Sequence, residues 1–423
     1  MSSFKDSIDS NYCYSSEKMD ILSMEEFASR KYTLLWGLKR YCYHFLKSFK
    51  TIAYLPTLFK VGRKDGLIVI NSLNQYNSVL PLIKNKSLAT KTISIDWKGQ
   101  DDVLRYPIIL SYLLSIFFIP QTLYFYFTCK DAYIKKSFHY GFNEYCLTFA
   151  YRLVNNIWLW LSKPRFLMII SDHQMVTRDI IKSGKRNNIK TIYVQHASVT
   201  ERFPELIMDY AFLEGNDAKD KYLQISNGNT STIIELVGIL KLDGIINTSG
   251  EESSINTIGL CTNEFDDLEI ADQLIGLLKG SFEVCLRPHP RDGRYFVWKE
   301  MANKHDILFS ESKTQGPAAF LKGVNCVVSY NCNIIIESLI LNKPTFSFQL
   351  GQKDFDHYGF LAHDIVKHFT NGDALLKEIS NIRISPNAIN WKKKLKYYCD
   401  TIDTPFEGKT QALMTELFVK YNI

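Results

Sequence analysis

Short apolar runs, each bounded by polar or helix-patterned stretches, recur along most of this chain. Gly66-Leu-Ile-Val-Ile-Asn71, Thr92–Ile95, Phe166–Ile170, Lys190–Val194, Tyr210–Leu213 and Ile233–Val237 have the length and composition of strands buried on both faces. Helical stretches through Val79–Ile83 and over Val176–Asn187 lie between them. Around Asn247–Ser254 the chain turns polar and small, which marks a linker. The pattern then restarts with strands at Thr257–Leu260, Phe282–Leu286, Ile307–Phe309, Cys326–Ser329 and Thr345–Phe348, and helices at Asp266–Lys279 and Ile334–Leu341. Strands alternating with helices predict parallel, doubly wound sheets. The expected architecture is α/β, with an N-terminal domain over 1–246 and a C-terminal domain over 255–423 whose last helices can return to the first.

Two stretches break this rhythm. Residues 1–60 read as irregular helix, with an amphipathic segment from Leu34 to Phe49 that carries Lys39, Arg40 and Lys47. From Tyr106 to Cys129 there is no charged residue, a length that meets the roughly 20-residue criterion for a membrane span. Strands on either side of it belong to one predicted sheet, and a span would put them on opposite sides of a bilayer. Buried core helices and contact with a membrane surface are the two readings that keep the sheet intact.

Chemistry concentrates at the predicted carboxyl ends of strands, the edge where open α/β sheets bind ligands. Phe282–Leu286 ends in Arg287-Pro-His-Pro290, where two prolines stiffen the loop and aim Arg287 and His289 at that edge. Asn331-Cys332-Asn333 separates a strand from a helix, and exposed amides at such a turn favour an anion. Glu337, about one turn on, can reach a pair of ribose hydroxyls or merely complement the helix dipole. In the first half, Asp172, His173 and His196 follow strands directly and have the right type for a general base. Each can instead fix its loop.

Composition narrows the field. In 423 residues, 46% hydrophobic and 22% charged residues describe a globular protein, and the net charge of +6 is mild. Lys392-Lys393-Lys394 with Lys396 is the densest basic cluster; no nucleic-acid module accompanies it. Nine cysteines with no C-x-x-C pair argue against a disulfide framework or zinc ribbon and for a reducing cytosol. The N-terminus lacks a signal-peptide layout, which gives the same cytoplasmic expectation. Missing P-loop, H-E-x-x-H and G-x-S-x-G motifs disfavour P-loop kinases, zinc proteases and α/β-hydrolases.

Taken together, these segments resemble the GT-B glycosyltransferases of bacterial surface polysaccharide synthesis. The nearest branch is that of capsule polysaccharide enzymes, polysialyltransferases and CDP-glycerol glycerophosphotransferases. The resemblance rests on Thr191–His196, Asp209–Gly215, Val237-Gly238 with Asp243, Arg287–Pro290 and Val328–Pro344. It covers roughly 165–350. It implies two Rossmann-like domains facing a cleft, with the donor held by Arg287, His289, Pro290, Asn331, Cys332, Asn333 and Glu337. The base would come from His196, Asp172 or His173. Ala197 stands where that family has glycine, Cys332 and Asn333 replace small hydroxyl residues, and Asn342 replaces a glycine, so the nucleotide stays open.

The implied function is transfer of a sugar from a nucleotide-sugar donor, with CMP-linked sialic acid or Kdo first, to a growing surface glycan such as capsule or lipopolysaccharide. The acceptor would be a glycan or lipid-linked glycan, with peripheral contact at the inner membrane. No metal or other cofactor is expected, since no Asp-x-Asp stands at a strand end. Three alternatives remain: a CDP-glycerol-type polyol-phosphate transferase, a nonhydrolysing nucleotide-sugar epimerase, and a non-catalytic assembly partner.

Overall fold

The structure is a computed structural model that describes residues 4, 33–95, 97, 99–201, 203–243, 245–246, 255–290, 292–351, 356–384 and 392–423. The expected linker at 247–254 and most of the N-terminal helical stretch lie outside them.

Strands β1 (Gly66–Ile70), β2 (Thr90–Ser94), β3 (Val103–Arg105), β4 (Phe166–Ile169), β5 (Lys190–Val194), β6 (Tyr210–Leu213) and β7 (Ile233–Leu236) form one sheet. Its order is β3-β2-β1-β4-β5-β6-β7, with every neighbouring pair parallel. A second parallel sheet holds β8 (Thr257–Thr262), β9 (Glu283–Pro288), β10 (Leu308–Phe309), β11 (Cys326–Ser329), β12 (Thr345–Phe348) and β13 (Lys367–Phe369). Its order is β10-β9-β8-β11-β12-β13. Strand order reverses between β1 and β4 and again between β8 and β11, so each sheet has a switch point where a crevice opens at the carboxyl edge.

β3 and β13 escape the sequence pattern. Each has three residues at a sheet edge, too short to show a periodicity. β3 also runs directly into the apolar stretch that follows it.

A helical layer covers one face of the first sheet. It comprises α1 (Leu34–Ser48), α2 (Ile109–Ser115), α3 (Ile119–Thr128) and the 31-residue α4 (Ala132–Ser162). Thr33 and Asp131 cap α1 and α4, accepting from the N–H groups of Trp36 at 3.2 Å and Ile134 at 3.0 Å. Tyr41 of α1 and Ser115 of α2 are hydroxyl partners at 2.7 Å, and the Tyr112 hydroxyl donates to Asn143 Oδ1 at 2.7 Å. A Cβ on Gly37 would lie 2.7 Å from Phe142 Cβ, so only glycine lets α1 cross α4 this closely. The uncharged run over Ile109–Thr128 is helical and apolar enough to cross a membrane, yet just 28% of it is buried. It is therefore not a set of core helices: one side packs on α4 and the other is exposed.

Farther along come α5 (Met175–Arg186), α6 (Asn216–Ile225), α7 (Leu268–Leu278), α8 (Tyr295–His305), α9 (Ile334–Ile340), α10 (Gly372–Ile384) and α11 (Thr410–Lys420). Helix α11 leaves the second sheet and packs Met414, Leu417 and Phe418 among Ile68, Phe166 and Phe212 of the first. Its first turn is held by Asp243, whose carboxylate accepts from the N–H groups of Thr410 (2.9 Å) and Gln411 (2.7 Å). Gly238, at φ +77°, passes so close to Thr401 that a Cβ would sit 2.2 Å from its hydroxyl oxygen. Val237-Gly238 and Asp243, a motif visible in the sequence, thus fasten the returning segment.

Candidate functional site

The carboxyl edges of the two sheets meet. The loop after β5, Gln195–Ser198, touches the turn after β11: the Ser198 N–H donates to Asn333 Oδ1 at 3.1 Å. Lys241, in the turn after β7, donates to the His196 carbonyl at 3.3 Å and to Glu337 Oε1 at 2.5 Å. These bonds hold the loops after β5 and β7 of the first sheet against the turn after β11 of the second.

Local backbone chemistry sets the Asn331–Asn333 turn. Asn331 has φ +49°, a left-handed conformation that asparagine tolerates better than most residues. Its Oδ1 accepts from the His357 N–H at 2.9 Å. Asn333 makes no cap bond to its own helix; its amide oxygen serves the Ser198 contact instead. Cys332 is half-buried, and burial raises its thiol pKa. Glu337 is buried: Lys241 takes one carboxylate oxygen, while Oε2 has no hydrogen-bond partner among the described residues.

His289 and Pro290 are exposed just beyond β9, where the His289 N–H donates to the Thr262 carbonyl at 2.8 Å. Arg287 differs. It is buried, its Nη1 donates to Ser310 Oγ at 2.6 Å and its Nη2 to the Gln315 carbonyl at 2.9 Å. Its guanidinium also lies 5.0 Å from the Phe320 ring centroid. The geometry makes it an anchor for the 310–315 loop.

In the loop after β4, Asp172 is fully buried. Its Oδ2 accepts a short hydrogen bond from the Tyr222 hydroxyl, and its Oδ1 lies 3.3 Å from His173 Nδ1. That arrangement orients the more exposed His173 ring, which also packs on Phe203 at 4.5 Å between centroids. Buried this deeply, Asp172 has no surface with which to touch a bound molecule, whereas the His173 ring beside it does. His196 is pushed down to about 3, first by burial and then by the charges of Lys241 and His173. It is a neutral imidazole at neutral pH, suited to hydrogen bonding more than to taking a proton, and its buried Nδ1 has no partner among the described residues.

Sequence reading missed the groups that bind this site together. Burial raises the Glu214 carboxyl to about 7, with Lys241 opposing and Glu337 and Asp217 adding to the rise. Gln195 holds Glu214 in two directions: Nε2 donates to Oε2 at 3.2 Å, and the Glu214 N–H donates to Gln195 Oε1 at 2.8 Å. Burial works against the charge on Lys241, but the Glu337 and Glu214 carboxylates more than offset it and raise the pKa. Asp266, in the turn after β8, is pushed up to about 8 by burial; its Oδ1 and the nearby Thr262 Oγ1 have no partners among the described residues. Lys241 stands inside the Val237–Asp243 motif, the one signal that pointed to it.

The fold is shared with solved structures. UDP-GlcNAc 2-epimerase from Neisseria meningitidis bound to UDP-GlcNAc superposes with a TM-score of 0.53 at 14% identity, over 84% of this chain and 100% of that one. A second UDP-N-acetylglucosamine 2-epimerase gives 0.50 at 14% identity, over 86% and 97%. The wall teichoic acid polymerase TagF with CDPG gives 0.50 at 13% identity, over 92% of this chain and 98% of that one. No protein-family model matches the sequence, and no curated protein matches it. The architecture is the GT-B fold, two Rossmann-like domains facing a cleft.

Proposed function

We propose that this chain is a glycosyltransferase that moves a sugar from a nucleotide-sugar donor to a growing bacterial surface glycan. One observation carries the reading: Lys241 ties the His196 loop, which lies beside the Asp172–His173 pair, to Glu337 of the Asn331–Glu337 turn in the other domain. Donor binding on one side and proton acceptance on the other is the division of labour a two-substrate transfer requires.

In this mechanism the second domain holds the donor, with His289 and the 331–333 turn toward its phosphates and Glu337 toward its ribose. The unpartnered Glu337 Oε2 supports that role, because a buried carboxylate oxygen needs donors and a ribose diol supplies them. His173 accepts the proton of the acceptor hydroxyl, with Asp172 and Tyr222 fixing its orientation. The acceptor oxygen bonds to the anomeric carbon, the bond from that carbon to the phosphate oxygen breaks, and the nucleotide leaves with the electron pair. His289 and Lys241 stabilise the developing negative charge. CMP-linked sialic acid or Kdo remains the first donor to try, and a cytoplasmic site of action fits the reduced cysteines.

The test is thermal stabilisation by CMP, CDP, UDP and GDP, measured on the wild type, His289→Ala and Glu337→Gln. A nucleotide at about 100 times its Kd adds roughly 2.7 kcal/mol, which is readable as a melting shift. One nucleotide should stabilise the wild type and neither variant. If none does, the transferase reading falls and an assembly partner takes its place. With a binding nucleotide in hand, product analysis separates a glycosidic linkage from the phosphodiester of a polyol-phosphate transferase or the acceptor-free product of an epimerase.

A further inference from the structure

Helix α1 has three sectors, and only one of them faces the protein. At 100° per residue, Leu35, Leu38, Cys42, Leu46 and Phe49 fall within an arc of about 80°, and all are exposed. Gly37, Tyr41 and Ser48 lie on the buried side against α4 and α2. Lys39, Lys47 and Lys50 border the apolar arc, together with the exposed Tyr43 and Trp36. A surface helix of a globular domain ordinarily turns its apolar stripe inward. This one carries an apolar stripe in water, with Leu46 68% exposed and Leu35 61%.

The pattern continues on the neighbouring elements. Phe59, beyond α1, is 81% exposed. Along α2, α3 and the 3₁₀ turn between them, Leu113, Ile116, Phe117, Tyr124 and Phe127 are also exposed, with Phe117 77% exposed. These helices share the Tyr41–Ser115 contact, so the stripes belong to one layer. Charge identifies the occupant. Between Thr33 and Lys64 there are seven lysines and arginines and no aspartate or glutamate. A self-association through this face about a two-fold axis would set those cations against one another. A bilayer with anionic headgroups satisfies both halves of the pattern, taking apolar side chains into the acyl boundary and lysines at the phosphates.

We propose that α1, with the exposed face of α2 and α3 beside it, is the surface by which this protein lies on an anionic lipid bilayer. The surface is separate from the interdomain crevice, and its role stands whatever the crevice binds. Held this way, the first domain faces the membrane plane, where a lipid-linked substrate would be found.

Sedimentation with vesicles tests it on the full chain. Vesicles of phosphatidylcholine alone are compared with vesicles containing phosphatidylglycerol in equal amount, at low and high salt. The wild type should pellet with the anionic vesicles, less so in high salt, and weakly with phosphatidylcholine alone. Leu46→Asp with Phe49→Asp should lower partitioning about tenfold or more. Lys39→Gln, Lys47→Gln and Lys50→Gln should each lower it about fivefold. These positions are exposed, and an unchanged melting temperature and circular dichroism spectrum would show that the fold is intact. Failure of the wild type to bind anionic vesicles overturns the proposal, as does equal binding by the folded Leu46→Asp, Phe49→Asp variant. A dimer in lipid-free sedimentation equilibrium that the same variant dissolves would overturn it in favour of a second copy.

Discussion

Lys241 Nζ lies 2.5 Å from Glu337 Oε1 although the two residues are 96 positions apart and belong to different domains. Both side chains are nearly out of solvent, 13% and 6% exposed, so each charge depends on the other. Breaking such a pair strands a buried charge, and that penalty is typically 3–5 kcal/mol (about this range). Lys241→Met should therefore destabilise strongly in urea, while Lys241→Met with Glu337→Gln should recover much of the loss. Additive losses in the double-mutant cycle would show that the pair contributes no coupling.

Glu214 gives the fold a pH dependence of definite sign. Burial raises its folded carboxyl to about 7 from the ordinary 4.5, so the neutral form is favoured by folding. That stabilisation is fully present below about 4.5 and is lost as pH rises through about 7. Glu214→Gln, which keeps the contacts to Gln195, should raise stability at pH 8 and change it little at pH 4.5. The full shift corresponds to at most about 3 kcal/mol, less the attraction of Lys241 that the substitution removes. Denaturant midpoints measured across this range check both the sign and the window.

His173 is the proposed base, so His173→Ala should lower turnover about 10²–10⁴-fold while leaving nucleotide affinity unchanged. Tyr222→Phe removes the hydroxyl that steadies Asp172 and should lower turnover less, with its effect on the pH–rate profile rather than on donor binding. His196→Gln, which keeps a neutral hydrogen-bonding group, should retain more activity than His173→Ala. The reverse ranking would move the base to the β5 loop.

Arg287 is expected to act on stability. Arg287→Ala removes the donors to Ser310 Oγ and the Gln315 carbonyl and leaves a gap over Phe320, a loss of about 2–4 kcal/mol. Arg287→Lys cannot make the two-pronged contact and should rescue little. A melting temperature that stays put while nucleotide binding vanishes would return Arg287 to the phosphate site.

Gly238→Ala meets two obstacles, a φ of +77° and a Thr401 oxygen 2.2 Å from the new carbon. The strain alone costs about 1 kcal/mol, and displacing the returning segment adds to it. Limited proteolysis of 397–423 should accelerate in this variant.

How much of this was legible beforehand depends on the distance over which a residue's signal acts. Strands β5, β6, β11 and β12 were readable to the residue, because burial on both faces writes itself into a local apolar run. From those runs followed the two doubly wound domains and the placement of His173, His289 and Asn331 at carboxyl edges. The short edge strands β3 and β13 left no such run, and the chemistry of single side chains left none either. Only tertiary packing decided that Asp172 is sealed beneath His173, that Arg287 is spent on a loop, and that Asn333 reaches across to Ser198. It also decided that Lys241 and Glu214 meet Glu337, and that the uncharged helices over Ile109–Thr128 keep one face in water. A periodicity records which way a side chain points from its own element. What it points at is fixed by how two sheets and a returning helix close on one another, and that lies in no single stretch of the chain.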